Sequence, residues 1–227
     1  MAVFPLTKIE WRPSWRIIPS RFPPIDLFER IAPREDWDVL AQIETLTNDR
    51  VRLEKGAAAL VRLEDRLSGP GTSLIMAPFS HPRPDGDRFS DGTFGIAYAF
   101  QTFEAALARS IRSREEFLRR TNEGPAALQV RVLNIDLCGM LHDMRGQAAN
   151  DYVDLSRSRE LSRELRAEGS YGLLFEEMPS VGFAAATFRP TVFSNCRQER
   201  HLAYKWDGVR IVEYFDYQTG IRHPIGT

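Results

Sequence analysis

DGDRFSDGTFGIAYAFQTFEAALARSI, residues 85–111, passes from a loop through a strand into a helix, and its reading decides the fold. The whole segment from Ser80 to Gly92 is rich in Pro, Gly and Asp, which punctuate regular structure, so it is a loop. Phe94–Phe100 (FGIAYAF) is a short apolar, aromatic run between turn signals, the pattern of a buried strand. Thr102 then offers a hydroxyl to a free amide of the next turn, the role of an N-cap. The helix it starts spans Phe103–Arg120. Phe103, Leu107 and Ile111 lie on one face, Phe117 and Leu118 follow, and Asn122 and Gly124 close the helix.

Working outward, Leu128–Leu137 alternates polar and apolar residues and predicts a strand with one wet face. Ser156–Glu168 predicts a helix with Leu161 and Leu165 inward and Gly169 at its end, where a left-handed residue stops a helix. Gly172–Phe175, Phe183–Phe188 and Val209–Tyr217 read as further strands. On the N-terminal side, Ser73–Met76 reads as a strand and Ala57–Leu67 as a short helix. Trp37, Leu40, Ile43 and Leu46 form a helical stripe within Asp36–Asp49. Residues 1–35 hold prolines and aromatics without clear period and read as an irregular arm wrapping a core. Strands and helices alternate irregularly, so the expected fold is α/β of the α+β kind: a compact mixed β-sheet flanked by helices. At 227 residues, one domain over 1–227 is the simplest organisation.

Composition narrows the function. Thirty Lys+Arg against 31 Asp+Glu leave a net charge of −1, so no broad basic surface asks for nucleic acid or anionic membrane. The N-terminus lacks the apolar core of a signal peptide, and no run reaches the roughly 18 apolar residues of a membrane helix. Cys138 and Cys196 form no CxxC pair and read as buried free thiols, which favours a reducing compartment, the cytoplasm. The four histidines share no metal-ligand spacing, and no GxSxG, GxxxxGK[ST] or GxGxxG motif occurs. The arginine-rich stretches Arg109–Arg120 and Arg157–Arg166 alternate with glutamates and read as solvated faces.

The chemistry therefore centres on the opening stretch. Arg88 sits on a tight loop before the strand, where a guanidinium fork can grip a pyrophosphate bidentately. Tyr98 lies inside the strand and can stack on a base or hydrogen-bond a ribose. The plainer reading is a solvated loop arginine and a core tyrosine.

Taken together, four blocks make the sequence resemble the RES family of toxins, named for an Arg, a Glu and a Ser of their active site. WRIIPSRF resembles the family's N-terminal strand with its arginine–aromatic pair, and GDRFSDGTFGIAYAFQTFEAALA its Gly-x-Arg-[Phe/Trp] loop, Tyr-bearing strand and helix. GSYGLLFEE resembles the strand that carries the serine, and FRPTVFSNCRQERHLAYKWDGVRI the C-terminal strands of a longer-chain branch. The resemblance implies an ADP-ribosyltransferase-like fold without a prosthetic group. It also implies cleavage of NAD, as substrate, at its nicotinamide–ribose bond by phosphorolysis, hydrolysis or transfer to a protein. It further implies restraint by a small antitoxin, here of Xre type, and leaves self-pairing open. Residues 36–75 stand as a helical insertion relative to shorter members. Arg88 and Tyr98 match the family arginine and tyrosine, and Arg21, with Arg16 as alternative, matches the N-terminal arginine.

Two positions depart from the pattern. Arg109 stands where the family glutamate is expected, and Glu177 where the strand leads to the serine. A carboxylate beside the ribose stabilises the positive charge that builds as nicotinamide leaves, and an arginine there reverses the sign. Three readings follow: a deliberate inactivating change, Glu177 supplying the carboxylate from across the pocket with Arg109 as its partner, or a catalytically silent relative that binds a nucleotide or a partner. A single inactivating change does not account for both departures.

Overall fold

β1 (Leu6–Pro19) runs beside β3 (Ala126–Asp143) from Leu6 opposite His142 to Pro19 opposite Val130, and this long antiparallel pair is the spine of the molecule. The computed structural model describes residues 4–20, 60–146, 154–178 and 182–226. Between the two strands come α1 (Thr72–Ser80), β2 (Ala97–Phe100) and α2 (Phe103–Arg120). After them follow α3 (Leu155–Ala167), β4 (Gly172–Met178), β5 (Gly182–Thr187), β6 (Phe193–Trp206), β7 (Ile211–Asp216) and β8 (Ile221–Pro224). The mixed sheet has the order β1-β2-β5-β4-β3-β6-β7-β8, and the β1–β3 pairing closes its first five strands into a ring. Two narrow joints complete the ring: Trp15 opposite Phe100, and the parallel contact of His142 and Asp143 with Leu173 and Leu174. Beyond it β6, β7 and β8 extend as an antiparallel meander.

The ring's short strands are mostly apolar because both faces are covered. Ala97, Ala99, Leu174 and Ala185 join Ile75 and Phe79 of α1 on one face. Phe100, Leu173, Phe175, Ala184 and Ala186 join Ala105 and Ala106 of α2 and Leu165 of α3 on the other, with Phe89, Phe94 and Ile96 of the preceding loop. α2 begins where its cap requires, with Thr102 Oγ1 accepting from the Ala105 amide at 3.2 Å. Asn122, at φ 52°, turns the chain out of it.

Four expectations need correction. Residues 6–19 are a strand, not irregular chain; Pro13 and a register shift between Trp11 and Ser14 break the alternation that marks one. Ser14 Oγ repairs the bulge by donating to the Ile135 carbonyl at 2.6 Å. Ser73–Met76 belongs to α1, whose short apolar run imitates a strand although it buries Leu74, Ile75 and Phe79. The described part of Ala57–Leu67 forms only a 3-10 turn at Leu63–Asp65, because Asp65 is drawn inward by Arg189, whose Nε lies 2.8 and 3.0 Å from its two oxygens. Cys138 is exposed and only Cys196 is buried. The stripe within 36–49, the rest of the arm and Arg21 lie outside the described residues.

Candidate active site

The loop before β2 is set by Asp87. Its Oδ1 accepts from the amides of Phe89 (2.9 Å) and Ser90 (3.0 Å) and from the Tyr98 hydroxyl (2.8 Å), so one carboxylate oxygen ties the turn to the strand. Arg159 of α3 holds the same loop from outside, donating Nε to the Asp87 carbonyl (2.8 Å) and Nη2 to that of Asp85 (3.1 Å). Gly86 has φ 70°, and a Cβ there would fall 2.3 Å from the Ser90 carbonyl oxygen, so the turn admits no side chain. With Asp87 turned in and Phe89 fully buried, Arg88 is directed onto the rings of Phe89 and Phe175, its Cζ 5.1 and 5.2 Å from their centroids.

The other members arrive from three further segments. Tyr98 is half-buried on β2; burial, and after it the charge of Asp87, raises its hydroxyl well above the ordinary tyrosine range, so it remains a donor. Arg109 and Arg112 are three apart on α2 and so share a face. Glu177 is the extra residue of a β-bulge: Glu176 pairs with Phe183 and Met178 with Gly182. Bulges re-aim side chains, and this one turns a carboxylate inward at 4% side-chain exposure. Arg109 Nε lies 3.7 Å from Glu177 Oε1, the Arg112 guanidinium bonds the same oxygen, and Arg109 Cζ stands 5.9 Å above the Tyr98 ring. Burial lowers the Arg88 guanidinium from its ordinary value; Glu177 opposes that shift while Arg109 and Arg112 add to it.

The structure thus brings together Arg88, Tyr98, Arg109 and Glu177, which the sequence places up to 89 positions apart (177 − 88). Glu177 is not an ordinary surface residue. Arg16 is elsewhere: Trp15 and Ile17 pack on the Tyr98 side of the sheet, whereas Arg16 faces Cys196 and Arg83. Burial lowers its guanidinium to about 10 and raises the Cys196 thiol to about 11. The arginine stretches expected as solvated faces also turn partly inward, with Arg112 on Glu177, Arg159 on the loop and Arg166 over Phe94. Asp87, Arg112, Arg159 and Phe175 are additions to the residues read from sequence. Their only advance signals were the adjacency of Asp87 to Arg88 and the i,i+3 spacing of Arg112 from Arg109.

Two concavities among the described residues lie apart from this cluster. One of about 30 Å³ adjoins Asp65 and Arg189, and one of about 430 Å³ adjoins Pro19, Arg114 and Phe117. No group of three or more His, Cys, Asp or Glu among the described residues is placed to hold a metal ion. No described helix is long and apolar enough to cross a membrane.

Residues 60–207 match the RES domain family, which takes in the Arg88 loop, β2, α2 and the Glu177 bulge. The chain is also 32% identical over 204 residues to the uncharacterized protein y4oC of Sinorhizobium fredii, covering 87% of this chain and 84% of that one. This protein belongs to the RES-domain family. Among solved structures, it is similar to a chain in the M. tuberculosis MbcT–MbcA toxin–antitoxin complex at a TM-score of 0.45 and 10% identity, over 88% of this chain and 87% of that one.

Proposed function

We propose that this protein is a RES-type toxin that binds NAD in the cytoplasm, cleaves its nicotinamide–ribose bond and is restrained by a small antitoxin of Xre type. The whole chain acts as one catalytic unit without a prosthetic group. The observation that carries the reading is the convergence of three separate segments of a RES domain: Arg88 and Tyr98 meet on the aromatic wall of Phe89 and Phe175, and Glu177 joins them through Arg109, which lies over the Tyr98 ring. Arg88, with Arg21, holds the diphosphate through charge-assisted hydrogen bonds. Tyr98, fixed by Asp87, orients the nicotinamide ribose. Glu177 supplies the carboxylate that faces the positive charge developing at the ribose. In the reaction the C1′–N bond breaks and its electron pair stays on nicotinamide. An oxygen of water, phosphate or a protein side chain bonds C1′ and releases its proton to solvent.

One observation favours a second reading on the same fold, a catalytically silent nucleotide- or partner-binding protein. Glu177 already carries Arg109 and Arg112, and two cations beside it oppose the charge it is asked to stabilise. Loss of one preorganised interaction of this kind costs about 3–4 kcal/mol of barrier, a factor of hundreds in rate. NAD loss over time with the purified protein, with and without phosphate, separates the two. Turnover that Glu177→Gln abolishes supports the toxin. No turnover by the native chain, with activity only in the Arg109→Glu plus Glu177→Ser double variant, sinks it and leaves the binder.

A further inference from the structure

Arg88, Arg109 and Arg112 gather around Glu177, and with the Asp87 carboxylate already taken by Tyr98 and two amides the cluster still holds three cations against two anions. The guanidiniums are layered over it. Glu177 lies beneath at 4% side-chain exposure, while Arg109 and Arg112 stand above at 26% and 43%. Each guanidinium has five N–H donors, and Glu177 engages the pair through a single oxygen, so most of their donors are not taken up by Glu177. This is not the pairing of a solvated helix face. On the same helix Arg119 bonds Glu115 one turn away at 2.7 Å, whereas Arg112 reaches across 65 residues of sequence to a buried carboxylate. The pair is also distinct from Arg88, which lies on Phe89 and Phe175 while Arg109 lies on Tyr98. NAD contains one diphosphate, and the function proposed above assigns that to Arg88.

We infer that Arg109 and Arg112 form a second phosphate station, steadied from beneath by Glu177, for a phosphate additional to the diphosphate. That phosphate is carried on a ribose of the nucleotide or enters as a free ion. The inference rests on the NAD-binding reading. A forked pair of guanidiniums suits the several oxygens of a phosphate better than a ribose hydroxyl, and this gives the exchange of the family glutamate for Arg109 a chemical purpose.

Three titrations on the purified full chain test it: NAD alone, NADP alone, and NAD with saturating inorganic phosphate. Each is followed calorimetrically in the native protein and in Arg112→Gln and Arg112→Lys. The lysine variant retains a charge over Glu177, and so the local fold, while removing the fork. The expected result is tightening by roughly tenfold or more in the NADP arm or the phosphate arm, as one charge-assisted hydrogen bond supplies. The gain should fall to about twofold or less in both variants. The arm that gains identifies the source of the phosphate. Binding of NAD with no gain in either arm, or a gain that survives both substitutions, overturns the station while leaving NAD binding intact. If NAD itself does not bind, the proposed function fails, and phosphate titrated alone against the same variants still decides the station.

Discussion

Two arginine–carboxylate clusters in this protein are built in opposite proportion. On the meander, Arg200 alone serves two acids: Glu199 through Nε and Nη2, each at 2.8 Å, and the buried Asp216 through Nη1 at 3.0 Å. Its guanidinium also rests over Phe103, 5.0 Å from the centroid. In the candidate site one acid serves two arginines, with a third nearby. Hydrogen bonding to Glu199 is the largest of the effects that raise Arg200, whereas burial is the largest effect on Arg88 and depresses it, opposed by Glu177 and Tyr98 and reinforced by Arg109 and Arg112. The first cluster is closed, its one cation hydrogen-bonded to both acids within the chain. The second retains unanswered positive charge, which suits a place where an anionic ligand completes the set.

The comparison breaks most visibly at Arg200. Arg200→Met strands the Asp216 carboxylate at 3% side-chain exposure and should cost about 3 kcal/mol in urea denaturation. The same variant should alter the acid response. Burial alone raises Asp216, but Arg200 and the Gln218 and Thr219 amides bring it net below the ordinary carboxylate range. Its stabilising contribution is thus complete above the unfolded pKa of about 3.9 and is lost as pH falls through the lower folded value. Arg200→Met should flatten that part of the stability curve; an unchanged slope would show that the closed cluster is not ionically held. Tyr98→Phe removes the 2.8 Å bond to Asp87 and should cost about 1 kcal/mol while weakening NAD binding. Arg88→Met should have the smallest effect on stability, within about 0.5 kcal/mol or slightly favourable, because it removes a cation the site does not need in order to fold. Its NAD affinity should nevertheless drop about tenfold or more. Equal destabilisation by the Arg88 and Arg200 substitutions would erase the distinction drawn between the clusters.

The legible parts of the sequence were those whose signals are local. The loop, β2 and α2 could be read because Thr102 caps, the glycines turn and the helix keeps its period over 18 residues. β1 could not, because Pro13 and the bulge beside it interrupt alternation, and its partner lies more than a hundred residues away. α1 is too short for its period to separate it from an apolar strand. In the site, Arg88 and Tyr98 stand out by motif, and Arg109 and Glu177 by departing from one. Which face Glu177 takes depends on a bulge, a property of two paired strands that no single stretch encodes. Arg112 was hidden for the same reason, since its acid partner is 65 positions distant.

The ring closed by β1 also sets a schedule for synthesis. β1 ends at Pro19, and its main partner is complete only at Asp143, so 124 further residues (143 − 19) must be polymerised before the pair can be complete. At roughly 5–20 residues per second this is about 6–25 s during which a strand bearing Ile9, Trp11, Trp15 and Ile17 lacks the full length of its main native mate. The ring closes later still, because β4 and β5 are made only after β3, and the Glu177 cluster on its face cannot assemble before those strands are added.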